Sequence, residues 1–169
     1  MTTMLDTVGD PRATFEGLKV EAVAAYGNGR YENYAKAKAE FPHVPALEID
    51  VSGQGIGDAG DFENGDMPYS EAGRWAAGRM RAGVKRPVIY FSVGDWSAVH
   101  ASLEAAGVKR SEVRLWTAHY TGHPHLCSSE CGLAGETADA TQWGTPGHLP
   151  PPYEGRDVDV SETAADFFA

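Results

Sequence analysis

The chain runs to 169 residues, 42% of them hydrophobic and 22% charged, which suits one domain with a buried core and excludes a disordered chain. A formal net charge of −10 and the lack of any basic cluster argue against nucleic acid or an anionic membrane as partner, because phosphate contacts need Lys and Arg. No apolar run reaches the roughly 18 residues of a membrane-crossing helix, and the opening stretch Met1 to Asp6 has neither the basic nor the long apolar region of a signal peptide.

In chain order, residues 2–8 are β-branched and apolar around one acid, and predict a strand ending near Asp6. Gly9-Asp10-Pro11 then reads as a turn. Residues 19–27 predict a second strand, closed by Gly27-Asn28-Gly29. A helix over 31–41 places Tyr34, Lys38 and Phe41 on one face, and Pro42 ends it. A third strand is expected at 44–51. The glycine-rich loop after it, from Ser52, lacks the Lys-Ser/Thr and the following helix of a phosphate-binding loop, so a nucleotide site is not expected.

The stretch Ala59-Gly-Asp61-Phe-Glu63-Asn-Gly65-Asp66 predicts a fourth strand and carries the chemistry. On a strand, positions i and i+2 face the same way, so Asp61 and Glu63 project together. Two adjacent carboxyl groups cannot both ionise freely: one keeps its proton and can protonate a leaving group, while the other supplies negative charge. The plainer alternative is a solvated acidic loop.

Residues 69–83 predict a helix with Ala72, Trp75, Ala76 and Met80 in a stripe and Asp66 or Ser70 as its cap. Residues 87–93 form the clearest strand. Asp95 is placed to cap a helix over 96–106, in which Trp96, Val99 and Leu103 share a face. Strands follow at 113–119, with Tyr120 at the end, at 138–143 around Thr141-Gln142-Trp143, and at 157–161. Ser161 is placed to cap a short closing helix through Phe167-Phe168.

Eight short strands with helices between several of them predict an α/β fold. It is a compact eight-stranded TIM-like β/α barrel filling a single domain over 1–169, with the last strands lacking full helices. Reacting groups in such barrels lie at the C-terminal ends of strands. That rule gathers Asp6, Asp61, Glu63 and Asp159, with Tyr90, Trp116, Tyr120 and Gln142 beside them. The connection 52–60 is too short for a helical crossover between parallel strands, so an antiparallel strand there, or an incomplete barrel, is expected.

Between the sixth and seventh strands, His123-Pro-His125-Leu-Cys127-Ser-Ser-Glu-Cys131 offers side chains that zinc accepts, at a spacing that is not a common zinc pattern. The leading expectation is a disulfide between Cys127 and Cys131 that staples an exposed loop, with free thiols and a metal site as the alternatives. His119 is expected to pack or to line the groove.

The succession Asp-Phe-Glu at 61–63, Pro-Val-Ile-Tyr-Phe-Ser at 87–92, Leu-Trp-Thr-Ala-His-Tyr at 115–120, Thr-Gln-Trp at 141–143 and Val-Asp-Val-Ser at 158–161 resembles glycoside hydrolase family 25. These are lysozymes that cut bacterial peptidoglycan, many of them phage endolysins, and compact actinobacterial and actinophage members look most alike. Asp6 matches the Asp at the end of the family's first strand. The resemblance implies a muramidase with Glu63 as general acid and Asp61 as the carboxylate that stabilises the sugar or orients its 2-acetamido group. It also implies sugar contacts from Tyr90, Gln142, Asp6 and Asp159, a stacking wall from Trp116 and Tyr120, and no cofactor. Peptidoglycan would be the partner. The protein would be made in the cytoplasm and act at the bacterial cell wall, or be carried on a phage virion beside other virion proteins. Two other readings stand beside this one. One is a noncatalytic wall-binding or virion structural protein on the same fold. The other is an oxygen cage for a divalent cation built from Asp6, Asp61, Glu63 and Asp159.

Overall fold

In the computed structural model, which describes residues 1–169, eight strands close into one barrel in the order β1 to β8. They are β1 (Thr2–Asp6), β2 (Ala22–Tyr26), β3 (Ala46–Asp50), β4 (Ala59–Phe62), β5 (Val88–Ser92), β6 (Arg114–Ala118), β7 (Ala140–Gly144) and β8 (Asp159–Thr163). The first seven run parallel to their neighbours. The eighth is antiparallel to both β7 and β1 and closes the barrel.

Alternation along the strands sorts the core into an inside and an outside. Inward positions include five alanines (Ala22, Ala24, Ala59, Ala118 and Ala140), with bulk supplied by Met4, Leu47, Ile49, Val88, Tyr90, Trp116 and Phe167. Small residues let so short a chain close a narrow barrel, and the few large rings fill what remains. Outward positions of β4, β5 and β6 pack Phe62, Phe91 and Leu115 against two helices, α3 (Ala72–Arg81) and α4 (Trp96–Ala105). Gly60 is also on that outer face. A Cβ there would stand 2.7 Å from the Phe62 ring and 3.0 Å from Trp75, so the absence of a side chain admits both rings. On the far side, two shorter helices, α1 (Pro11–Phe15) and α2 (Tyr34–Glu40), cover β1, β2 and β3 through Phe15 and Ala37.

Several boundaries differ from expectation for local reasons. Gly9-Asp10-Pro11 opens α1 rather than a simple turn: Asp10 Oδ1 accepts from the N–H groups of Arg12 and Ala13, and Pro11 occupies the first helical position. Neither Asp66 nor Ser70 caps α3, which is preceded by a 3-10 turn, Tyr69–Glu71. Its start is tied instead across to α4, where Ser102 Oγ accepts from Gly73 N–H and donates to the Ser70 carbonyl. Asp95 stands at the N-cap of α4 without a capping bond. There is no closing helix: Ser161 is in the middle of β8, and the turns after it place Phe167 in the barrel interior.

The larger correction concerns the connection after β3. β3 and β4 are parallel, with Ile49 opposite Ala59 and Asp50 opposite Gly60, although no helix joins them. A fully buried carboxylate does the work of the missing crossover. Asp50 Oδ1 accepts from Asn28 Nδ2 and from the N–H groups of Ser52, Gly53 and Gln54. Its Oδ2 accepts from Gly55 N–H, Ile56 N–H and Trp75 Nε1. The loop is thus wound around one side chain. Winding it so tightly needs left-handed backbone at Gly53, Gly55 and Gly57, with φ of 72°, 71° and 62°. Burial alone would raise the Asp50 pKa, but the hydrogen bonds from Asn28, Trp75 and the loop amides outweigh it and hold the carboxyl below its usual value.

Candidate active site

Three strand ends deliver the acids. Asp6 is the last residue of β1, Asp61 faces inward near the end of β4, and Glu63 follows in the bend just past Phe62. Asp159 is the first residue of β8, not a late one. Because that strand is reversed, its beginning meets the rim where the parallel strands end, directly opposite Asp6 in the β1–β8 register. Asp6, Asp61, Glu63, Asp159, Tyr90, Trp116, Tyr120 and Gln142 all line one cleft of about 140 Å³, together with Tyr26, Ile49 and Thr145.

The cleft concentrates negative charge where water is scarce. Asp6 is 3% exposed and Asp61 6%. Burial, then the charges of Asp159, Asp61 and Glu63, raise the Asp6 pKa well above the ordinary carboxylate value. Burial, then Glu63 and Asp66, do the same to Asp61. One oxygen each of Asp6, Asp61 and Asp159 is buried without a hydrogen-bond partner. Buried polar atoms are rarely left so, and these three point to a site whose hydrogen bonds are completed by a proton or a bound polar group.

Glu63 is half-buried and its pKa is raised, first by burial and then by Asp66, Asp159 and Asp95. A hydrogen bond from Tyr90 would oppose that rise. The single Tyr90 hydroxyl proton, however, is committed elsewhere: it donates to Gln142 Oε1 at 2.6 Å. Tyr90 then offers Glu63 only lone pairs, which a protonated carboxyl can use and an ionised one cannot. Burial also raises Asp159, and hydrogen bonds from Thr145 and Gln142 restrain it. Tyr90 and Gln142 thus pair between Glu63 and Asp159, and the commitment of the Tyr90 proton to Gln142 favours a proton on Glu63.

The aromatic residues divide by depth. Trp116, expected as a stacking wall, is 1% exposed. It lies under Tyr90 with ring centroids 4.6 Å apart and donates from Nε1 to Ser161 Oγ, so it is floor and core. Tyr120 is 48% exposed, its hydroxyl 3.5 Å from that of Tyr90, and it presents a free face at the rim. Tyr26 lines the cleft and packs against exposed Tyr31, their centroids 6.4 Å apart. Tyr26 and Thr145 were missing from the residues drawn from the sequence. The signal was there for Tyr26, the last residue of the second strand and level with the other strand ends. None was available for Thr145, whose position depends on the loop after β7.

The expected disulfide is not formed: Cys127 and Cys131 are both free. Cys127 is completely buried, its backbone held to Thr141 Oγ1 and to Ala138 N–H, so this end of the loop is anchored without a bridge. Both sulfurs turn instead toward the imidazoles of His119 and His125.

No protein-family model matches the sequence, and no curated protein matches it. Solved structures do share the fold. An uncharacterized protein of B. stearothermophilus aligns over 99% of this chain and 98% of its own, with a TM-score of 0.65 and 9% identity. GHIP, a glycosyl hydrolase 25 virulence factor of Streptococcus pneumoniae that participates in host cell invasion, aligns over 97% of this chain and 87% of its own, with a TM-score of 0.57 and 13% identity. At these identities the likeness is one of fold.

Proposed function

We propose that the protein is a glycoside hydrolase that cleaves bacterial peptidoglycan as an N-acetylmuramidase. The observation that carries this reading is the single cleft at the strand-end rim, where four carboxyl groups meet and three keep an unpartnered buried oxygen. The likeness of fold to a glycosyl hydrolase 25 supports it. Glu63 protonates the glycosidic oxygen as the bond to the sugar breaks. Asp61, deeper and with an unpartnered oxygen, accepts from the 2-acetamido N–H or faces the positive charge that develops at the sugar. Asp6 and Asp159 keep the cluster acidic, and Asp159, through Gln142, holds the orientation of Tyr90. Tyr120 at the rim gives a neighbouring sugar ring a face to rest on. The place of action is the bacterial wall, reached by release from a host cell or by carriage on a virion.

Muropeptides released from purified walls test this. Mass spectrometry after borohydride reduction should find N-acetylmuramitol at the new ends. New ends on N-acetylglucosamine instead would contradict the assigned bond. Retention of the protein on walls with no new ends would favour the wall-binding, noncatalytic reading, for which the small cleft is the supporting observation.

A further inference from the structure

The connection from β6 to β7, residues 119–139, poses a structural problem that the proposed reaction does not touch. Parallel neighbours require a crossover, usually a helix packed on the barrel. Here the only regular piece is one 3-10 turn, Ser129–Cys131. What gathers in its place is a set of four side chains, His119, His125, Cys127 and Cys131, with ligand atoms all within 4.8 Å of one another. We propose that this is a structural zinc site, a Cys2His2 centre that pins the β6–β7 connection in place of a helix.

The distances favour a shared ion over side chains that simply touch. His119 Nδ1 and His125 Nε2 are 3.1 Å apart, and Cys127 Sγ is 3.5 Å from the first and 3.7 Å from the second. A tetrahedral ion with Zn–N of about 2.05 Å and Zn–S of about 2.3 Å requires nitrogens about 3.3 Å apart and sulfur–nitrogen separations of about 3.6 Å. The protein holds its donors near that spacing. A hydrogen bond between the two imidazoles would account for one contact, but not for two sulfurs completing the set.

The tautomer is set as well. His125 Nδ1 lies 2.9 Å from the His123 carbonyl oxygen, which can only accept. Nδ1 therefore carries the proton, and Nε2 faces the cluster with its lone pair, as is common for a metal-bound imidazole whose other nitrogen donates to a carbonyl. The backbone fixes the other ligands. His119 N–H donates to the Gln142 carbonyl, extending the β6–β7 ladder by one step. Cys127 N–H donates to Thr141 Oγ1, and its carbonyl accepts from Ala138 N–H. Two of the four ligands are thus placed by β7 before any ion arrives. Four protein ligands leave no open position for water, so the ion braces the fold and takes no part in chemistry. Binding would release the thiol protons to solvent. Because His119 precedes Tyr120, the brace also steadies a side chain at the cleft rim.

The geometry, not the sequence spacing, chooses the ligands, and that makes the test sharp. His123 stands first in the His-x-His-x-Cys pattern, yet it contributes only a backbone carbonyl; His119 lies outside the pattern and contributes its ring. Protein stripped with chelator under reducing conditions should rebind one zinc per chain, measured by mass-spectrometric metal analysis after gel filtration. Cobalt in its place should give the strong visible bands of a tetrahedral site and a thiolate charge-transfer band in the near ultraviolet. His119→Ala should weaken zinc binding by at least ~100-fold, since even an outer partner costs 10–100-fold, whereas His123→Ala should bind as the wild type does. Cys131→Ser, half-buried at the edge of the core, serves as the second variant if His119→Ala fails to fold, and should lose the cobalt charge transfer in part. Failure of the wild type to retain zinc, or undiminished binding by both His119→Ala and Cys131→Ser, overturns the proposal. None of these readouts depends on cleavage of peptidoglycan.

Discussion

The surroundings of Glu63 favour its protonated form more than water does. Burial raises its pKa, and the charges of Asp66, Asp159 and Asp95 add to the rise. An enzyme that needs this proton loses rate as pH climbs through the raised value. Replacing Asp159 by Asn removes one of the charges that raise it, so the alkaline limb of the pH–rate profile should move to lower pH; a limb that stays in place would remove Asp159 from this role. Asp61 carries a cost of another kind. Its folded-state pKa lies above the ordinary carboxylate value, so the ionised form is the unfavourable one in the folded protein. That penalty begins as pH passes the unfolded value and is complete above the folded one. Asp61→Asn should therefore lose activity by about 100-fold or more while gaining about 1 kcal/mol of stability at neutral pH, a few degrees in Tm. A lower Tm would contradict the buried-charge account.

Among the elements, the β3–β4 connection depends most on one residue. Asp50 gathers a side-chain amide, an indole and five backbone N–H groups. Asp50→Ala would orphan these donors and should cost about 3–5 kcal/mol in chemical denaturation. Its folded pKa is depressed, so the stability it supplies is present above the unfolded pKa and lost as pH falls through the folded one. Asp50→Asn should flatten the acid limb of the stability profile. Local pattern predicted the eight strands well because each is a short apolar run bounded by glycine, proline or polar residues. It also pointed to Asp61 and Glu63 in one cleft, although β4 ends at Phe62 and Glu63 reaches the cleft from the bend beyond it rather than by strand alternation. The parallel course of β3 and β4 was not legible, because a buried carboxylate replacing a helix leaves no periodic trace. The reversal of β8, which puts Asp159 at the rim, is settled by barrel closure. The cluster at His119 was hidden for a similar reason: one ligand comes from a strand end and three from the loop that folds back on it.

For the whole molecule, length and function are linked through the narrow barrel. Alanines inside β2, β4, β6 and β7 let eight strands close within 169 residues, and the core below the cleft then rests on a few large rings. Trp116 is the largest side chain fully buried there. Trp116→Ala should destabilise the fold by about 3–5 kcal/mol and lower activity only in proportion to the folded fraction, because the ring supports Tyr90 from beneath without facing a sugar. The cleft at the top of this barrel is small, and the proposed reaction rests on one proton held among four acids. The most direct test is the rate of reducing-end release from purified cell walls by wild type and by Glu63→Gln, at equal folded concentration verified by circular dichroism. The account predicts measurable release by the wild type and a fall of about 1,000-fold or more in the variant; equal rates would contradict it.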